Sequence, residues 1–324
     1  MSISKRDFLA LGAAAGASFT LPAWAQAKPL IANINMFVPA APGGGWDGTA
    51  RAIERAAKAA GLVGNMQFEN VGGAGGMVGL PRFVNQRKGQ GNTLMIGGSV
   101  MIGAGIANKS PVTIKDVTPI ARLTEEAGVI VVPASSKIKT WKELEAAIKA
   151  NPKAVSVAGG SAGGTDHLIL GMLIKALGSN PREAAYVAFA GGGPANAAIL
   201  GGQVVAGISG YSEFEEQIKA GRMIPLAVSG KRRIPGVNVP TLTELGVNVT
   251  ESNWRGVFAP PGISTAQREA LIDFVTKLNM SAPWRQELET RKWTDAFMTE
   301  RPFERDLAKD IEDKVVLMKE LGLA

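Results

Sequence analysis

The stretch Val155-Ser-Val-Ala-Gly-Gly-Ser-Ala-Gly-Gly-Thr-Asp-His-Leu168, continuing through Ile169 to Gly178, holds the pattern that decides the fold. A short β-branched run enters a loop of four glycines and two hydroxyls, and the loop enters a helix. Leu168, Met172, Ile174 and Leu177 recur at roughly the 3.6-residue helical period, and Gly178 stops the helix. A glycine-rich loop running into a helix start gathers free backbone N–H groups and the positive end of the helix dipole at one spot. Such a spot favours a carboxylate or phosphate. Ser161, Ala162, Gly163, Gly164 and Thr165 are therefore candidate anion-binding residues, with Thr165 the expected N-cap. Tight strand-to-helix turns also use glycine for structural reasons alone.

Working outward, the same grammar recurs upstream. Ile31 to Val38 is a strand candidate that meets Pro39-Ala-Ala-Pro-Gly-Gly-Gly-Trp-Asp-Gly-Thr49, and a helix is expected from Ala50 to Ala60. This second loop adds Gly43, Gly44, Gly45, Trp46 and Asp47 to the candidates, with Asp47 in a capping place. Strands are further expected at 66–71, 93–97, 120–123, 129–132, 185–189, 204–208, 224–228 and 254–259. Between them lie helices, two of them opened by the capping boxes Thr140-Trp-Lys-Glu143 and Ser264-Thr-Ala-Gln267. A third glycine turn, Gly191-Gly-Gly-Pro194, adds Gly192. Leu307, Ile311, Val315 and Met318 stripe the last helix. Strands alternating with helices predict a parallel α/β architecture. The strands are too many for one modest sheet, and the tail supplies helices without strands. Two lobes, with the last segment returning to the first, satisfy both observations. Binding loops then face a cleft at the strand C-termini.

The 324 residues suffice for one large or two ordinary domains, and 46% hydrophobic content without a repeat marks a globular chain. The first residues differ in kind. Lys5-Arg6, the apolar Phe8–Leu21 stretch and Ala25-Gln-Ala27 form an export signal over about 1–27. Ser4-Lys5-Arg6-Asp7-Phe8-Leu9 resembles a twin-arginine signal with lysine in the first arginine place. The mature chain is expected in the periplasm. Losing Lys5, Arg6 and Asp7 lowers the formal charge from +7 to +6, and Lys231-Arg232-Arg233 is the only tight basic cluster. Without interleaved aromatics that cluster argues against nucleic acid. One histidine and no cysteine argue against a metal, and no cofactor is expected.

Two enzyme readings compete. Gly159-Gly-Ser161-Ala-Gly163 matches a nucleophile elbow between strand and helix, so a secreted serine esterase using Ser161 is the alternative function. The lone His167 sits in the elbow's own helix, however, with Asp166 turned to another face. Gly43-Gly-Gly45-Trp-Asp-Gly48 matches a dinucleotide fingerprint, with Glu69 in the ribose place. An acidic Asp47 facing a pyrophosphate opposes it, and no phosphate-loop lysine motif occurs. For Arg255, a salt bridge to an acid such as Glu251 and a bidentate carboxylate clamp stand as equal readings.

Taken in order, several passages resemble the periplasmic solute receptors of tripartite tricarboxylate transporter systems. They are Val38-Pro-Ala-Ala-Pro-Gly-Gly-Gly-Trp-Asp-Gly-Thr-Ala-Arg51, Asn70-Val-Gly-Gly-Ala-Gly-Gly76, Gly159–Leu168, Tyr186–Ala195, Leu200–Val204, Val239–Gly246 and Trp254–Gly262. The resemblance implies a two-lobed, type II Venus-flytrap periplasmic-binding-protein fold with two sheets and a hinge. It implies no catalysis: an organic acid is captured between the loops at 39–49 and 159–167 and delivered to integral-membrane subunits. Lobe 1 would comprise 28–127 and 251–324, and lobe 2 128–250, in a monomer. Where many members carry Pro-Tyr-Lys-Gly this chain has Ala188-Phe-Ala-Gly191, and Ala198 stands for a frequent Asp. A lysine charge is thus missing, a place that the clamp reading of Arg255 would fill and the salt-bridge reading would not. Asn253-Trp-Arg255 and the Trp46 loop look closest to the tricarboxylate branch, with citrate the leading ligand.

Overall fold

The computed structural model describes residues 29–324, so the export-signal reading lies outside the described residues. The first strands and helices are β1 (Ile31–Val38), α1 (Gly45–Ala59), β2 (Val63–Asn70), α2 (Gly79–Gln86), β3 (Thr93–Gly98) and α3 (Ser99–Ala107). α1 begins five residues before its expected start, because Gly44 takes the N-cap and Trp46 and Asp47 fill the first turn. α3 was not expected at all: Ser-Val-Met-Ile-Gly-Ala-Gly-Ile-Ala is apolar on every side and buried, so it lacks a helical period.

The chain then enters β4 (Thr118–Pro133), a single strand of 16 residues where two short ones were expected. The Leu-Thr-Glu-Glu-Ala-Gly segment between the two expected strands stays extended and changes sheets. β4 is followed by α4 (Trp141–Ala150), β5 (Val157–Gly159), α5 (Thr165–Ala176), β6 (Tyr186–Ala188) and α6 (Gly192–Leu200). Next come β7 (Ala206–Gly210), α7 (Tyr211–Lys219), β8 (Met223–Val228) and β9 (Ser252–Ala259). The tail holds α8 (Thr265–Met280), α9 (Ala282–Arg291), β10 (Thr294–Thr299) and α10 (Glu300–Leu321). β10 corrects the expected strandless tail.

The architecture is mixed, where a parallel one was expected. β2, β1 and β3 are parallel neighbours, but β9 runs antiparallel to both β3 and β4. The reason is topological: one strand carries the chain out of the first sheet and another brings it back, so the pair must oppose. Residues 118–127 of β4 pair with β9, and β10 adds along 121–125. Residues 128–133 pair with β7 and β8 in the second sheet, where β5 lies parallel to β6 and β7. This is the two-lobed periplasmic-binding-protein fold.

Each lobe has its own apolar core. Ile34, Phe37, Ile53, Phe83, Phe258, Phe274 and Trp284 fill the first. The second sheet is covered on both faces, by Trp141, Leu144 and Leu170 on one side and Phe214 and Ile199 on the other. Burial of side chains this size contributes roughly 1.5–3 kcal/mol each. α10 spans the junction, with Met318 and Leu321 packed on Leu168 of α5. Ser229 ties the crossing strands. Its Oγ accepts from Gly128 N at 3.0 Å and donates to Glu251 O at 2.7 Å.

Candidate functional site

Three helices begin at one place. α1, α5 and α6 have Gly44, Gly164 and Gly191 as N-caps, and none of the three receives a side-chain capping bond. Their first turns face a cleft of about 720 Å³ between the lobes, also lined by Asn70, Gly72–Gly76, Phe189 and Asn253. In each first turn the leading N–H groups have no intrahelical acceptor. The lobes touch at the cleft. The Thr165 hydroxyl lies 3.4 Å from that of Ser99, and Trp293 Nε1 donates to Ser212 Oγ at 3.3 Å.

Both glycine loops are braced from behind by residues of their own helices. In the first loop Gly43 N donates to Asp47 Oδ2 at 3.0 Å, and Asn70 Nδ2 donates to Asp47 Oδ1 at 3.0 Å. In the second, Gly160 N donates to Asp166 Oδ2 at 2.8 Å and Gly163 N to His167 Nδ1 at 3.2 Å. The His167 ring stacks on Tyr186 with centroids 4.2 Å apart, and Tyr186 Oη donates to Gly160 O at 2.8 Å. Gly164 N is spent on Ser161 O. The amides of Gly43, Gly163 and Gly164 therefore hold the loops in shape. The helix first turns begin beyond them, and in α6 the Gly192 amide already serves the Glu213 carboxylate.

Gly163 has φ +75°, and an added Cβ would lie 2.7 Å from Ala107 Cβ, so this place admits only glycine without strain. At Gly45 the reason is close approach: a Cβ would sit 2.7 Å from an Arg255 nitrogen and 2.8 Å from Glu213.

The floor of the cleft is an ion cluster. Arg255 is 1% exposed, with Nη1 2.7 Å from Glu126 Oε2 and Nη2 3.6 Å from Glu213 Oε1. Glu126 Oε1 in turn accepts from Ser212 N at 2.7 Å. Glu251, the partner weighed for Arg255, pairs with Lys314 at 3.5 Å instead. Burial pushes the Glu213 carboxyl up to about 7, against the pull of Arg255 and with the repulsion of Glu126 and Asp166. Burial likewise raises Asp166 to about 6. His167 is driven down to about 4 by burial and stays neutral near pH 7. Arg255 Nε and Asn253 Oδ1 are buried without a hydrogen-bond partner.

Of the candidates, Gly44, Gly45, Trp46, Ser161, Ala162, Gly164, Thr165, Gly192 and Arg255 line the cleft. Gly43, Asp47 and Gly163 stand behind it as braces. Thr165 is the first helical residue and not the N-cap, which Gly164 occupies. Asp47 lies inside α1 and not at its cap. Among the polar lining residues, Asn70, Asp166, Ser209, Glu213 and Asn253 are not in the candidate set. Asp166 beside the glycine loop was a visible signal; Glu213 carried none, because only the α7 crossing brings it to the floor. The elbow reading lacks its base: His167 Nδ1 takes the Gly163 N–H, and among the described residues no bond joins it to Ser161.

Known proteins resemble this chain in sequence and in fold. Protein BugT of Bordetella pertussis is 29% identical over 235 residues, 71% of each chain. A protein encoded in an intergenic region of Agrobacterium vitis is 30% identical over 259 residues, 78% of this chain and 73% of that one. A periplasmic transporter structure superposes with a TM-score of 0.80 at 26% identity, covering 90% of this chain and 98% of the other. MatC of Rhodopseudomonas palustris, solved with bound malate, shares the fold with a TM-score of 0.74 at 24% identity, over 91% and 99% of the two chains. The model of the tripartite tricarboxylate transporter family receptor matches residues 50–323, nearly the whole described chain, and this protein belongs to that family.

Proposed function

We propose that this chain is an extracytoplasmic solute receptor that captures an organic acid and hands it to integral-membrane transporter subunits. One ligand carboxylate sits against the first-turn N–H groups of α1 and α5, with α6 closing the third side. Gly44, Gly45, Trp46, Ser161, Ala162, Gly164, Thr165 and Gly192 form its surroundings. The observation that carries this reading is the meeting of three glycine-capped helix N-termini at one cleft. Partial positive charge and unpaired donors there match a carboxylate without a counter-charge of full size. Residues 1–27 act as the export signal that puts the receptor in the periplasm. Lobe 1 (28–127 and 251–324) and lobe 2 (128–250) close on the ligand by a hinge at their two crossings.

The test is thermal melting of the purified mature chain against mono-, di- and tricarboxylates, paired with solution scattering. A true ligand at about 100 times its dissociation constant adds roughly 2.7 kcal/mol, and the radius of gyration shrinks on binding. If no carboxylate raises the melting temperature, the reading is wrong.

A further inference from the structure

The cleft was expected to hold a polyacid, with Arg255 clamping its second charge. Its lining supports a different charge count. Among the lining residues Asp166, Glu213 and Arg255 are the charged ones, and Arg255 already serves Glu126 at 2.7 Å and Glu213 at 3.6 Å. Glu126 and Glu213 thus share one guanidinium, and Asp166 feels the same charge from farther off. Two other cations beside α1 are engaged elsewhere. Arg51 reaches Asp47 at 3.5 Å and lies over Phe68, and Arg291 holds Glu287 at 3.0 Å. Beside the helix termini the lining also has an apolar share, with Pro39, Pro42, Trp46, Val100 and Phe189.

Resting on the carboxylate-receptor reading, we infer that the ligand is a monocarboxylate with an apolar body, and that Glu213 is the residue that rejects a second carboxylate. The helix termini supply partial positive charge at one end only. A second ligand carboxylate would lose its hydration facing Glu213 and Asp166, with no free cation among the described lining residues to replace it. The two unpartnered buried atoms of the floor are one donor, Arg255 Nε, and one acceptor, Asn253 Oδ1. Burial is the main cause of the upward displacement of Glu213 to about 7, with Glu126 and Asp166 adding to it against the pull of Arg255.

Three six-carbon probes isolate charge from size: hexanoate, adipate and 6-aminohexanoate. Each is titrated by calorimetry into the mature chain and into Glu213→Gln at pH 8, where Glu213 is ionised. Hexanoate should bind more tightly than adipate by about tenfold or more, and Glu213→Gln should narrow that ratio by about tenfold, which is about 1.4 kcal/mol. Adipate binding as well as hexanoate overturns the inference, as does a ratio unchanged in Glu213→Gln. Tighter binding of 6-aminohexanoate also overturns it, by assigning the acidic floor to an ammonium. If none of the three binds and citrate does, the inference falls while the receptor reading stands. If no carboxylate binds at all, both fall.

Discussion

Arg255 and Glu126 form a desolvated pair, each 2% exposed or less. Removing one partner strands the other charge in the floor, so Arg255→Met should cost about 3–5 kcal/mol of stability. Urea unfolding checks this, and a double substitution with Glu126→Met should recover a good part of the loss. Equal costs for the single and double variants would show that the pair does not act as a unit. Singling out Arg255 was possible from its sequence, because a cation after a tryptophan at a strand start is an unusual use of charge. Its partners were not legible. Glu126 lies 129 positions away and reaches Arg255 only because β4 and β9 pair antiparallel. Nothing in local spacing encodes that register. The loop glycines were legible for a different reason, since a positive φ or a close approach restricts the residue type wherever it occurs.

At the level of elements, Ser229 is where β4, the end of β8 and the start of β9 are joined. Its hydroxyl is fully buried and satisfies Gly128 N and Glu251 O together. Ser229→Ala leaves both groups without that partner, and we expect a loss of about 1–3 kcal/mol in denaturant unfolding. A change below a few tenths would mean water replaces the hydroxyl. Most helices with polar and apolar faces or a capping box were readable in the sequence. Thr140 and Ser264 cap α4 and α8 as their spacing predicts. α3 was not readable, because an all-apolar segment carries no period. α9 and β10 hid behind charge: Arg-Gln-Glu-Leu-Glu-Thr-Arg resembles a solvated continuation of α8. Ser281, accepting from Trp284 N at 3.3 Å, and Pro283 in the first turn of α9 break it.

Over the whole molecule, the buried acids set how stability responds to pH. Glu213 moves from an ordinary 4.5 up to about 7 on folding, so the native state favours its protonated form. Its contribution is greatest below about pH 4.5, declines as pH rises through 7 and is then flat. Asp166 acts in the same direction, while His167, lowered from 6.5 to about 4, opposes them by losing stability as pH falls. Melting temperatures of Glu213→Gln should therefore gain on the parent chain steadily from about pH 5 to 8. Parallel curves for the two proteins would place Glu213 in water. The sharing of β4 between sheets also bears on the order in which the chain can fold as it is made. β3 is buried along its whole length, and its second neighbour is β9, more than 150 residues later. Until Ser252–Ala259 arrives, the first sheet waits with an apolar open edge while the second lobe already has all its strands. A chain truncated just before residue 252 should hold a folded second half and an adhesive first half, the state in which a holding chaperone is most needed.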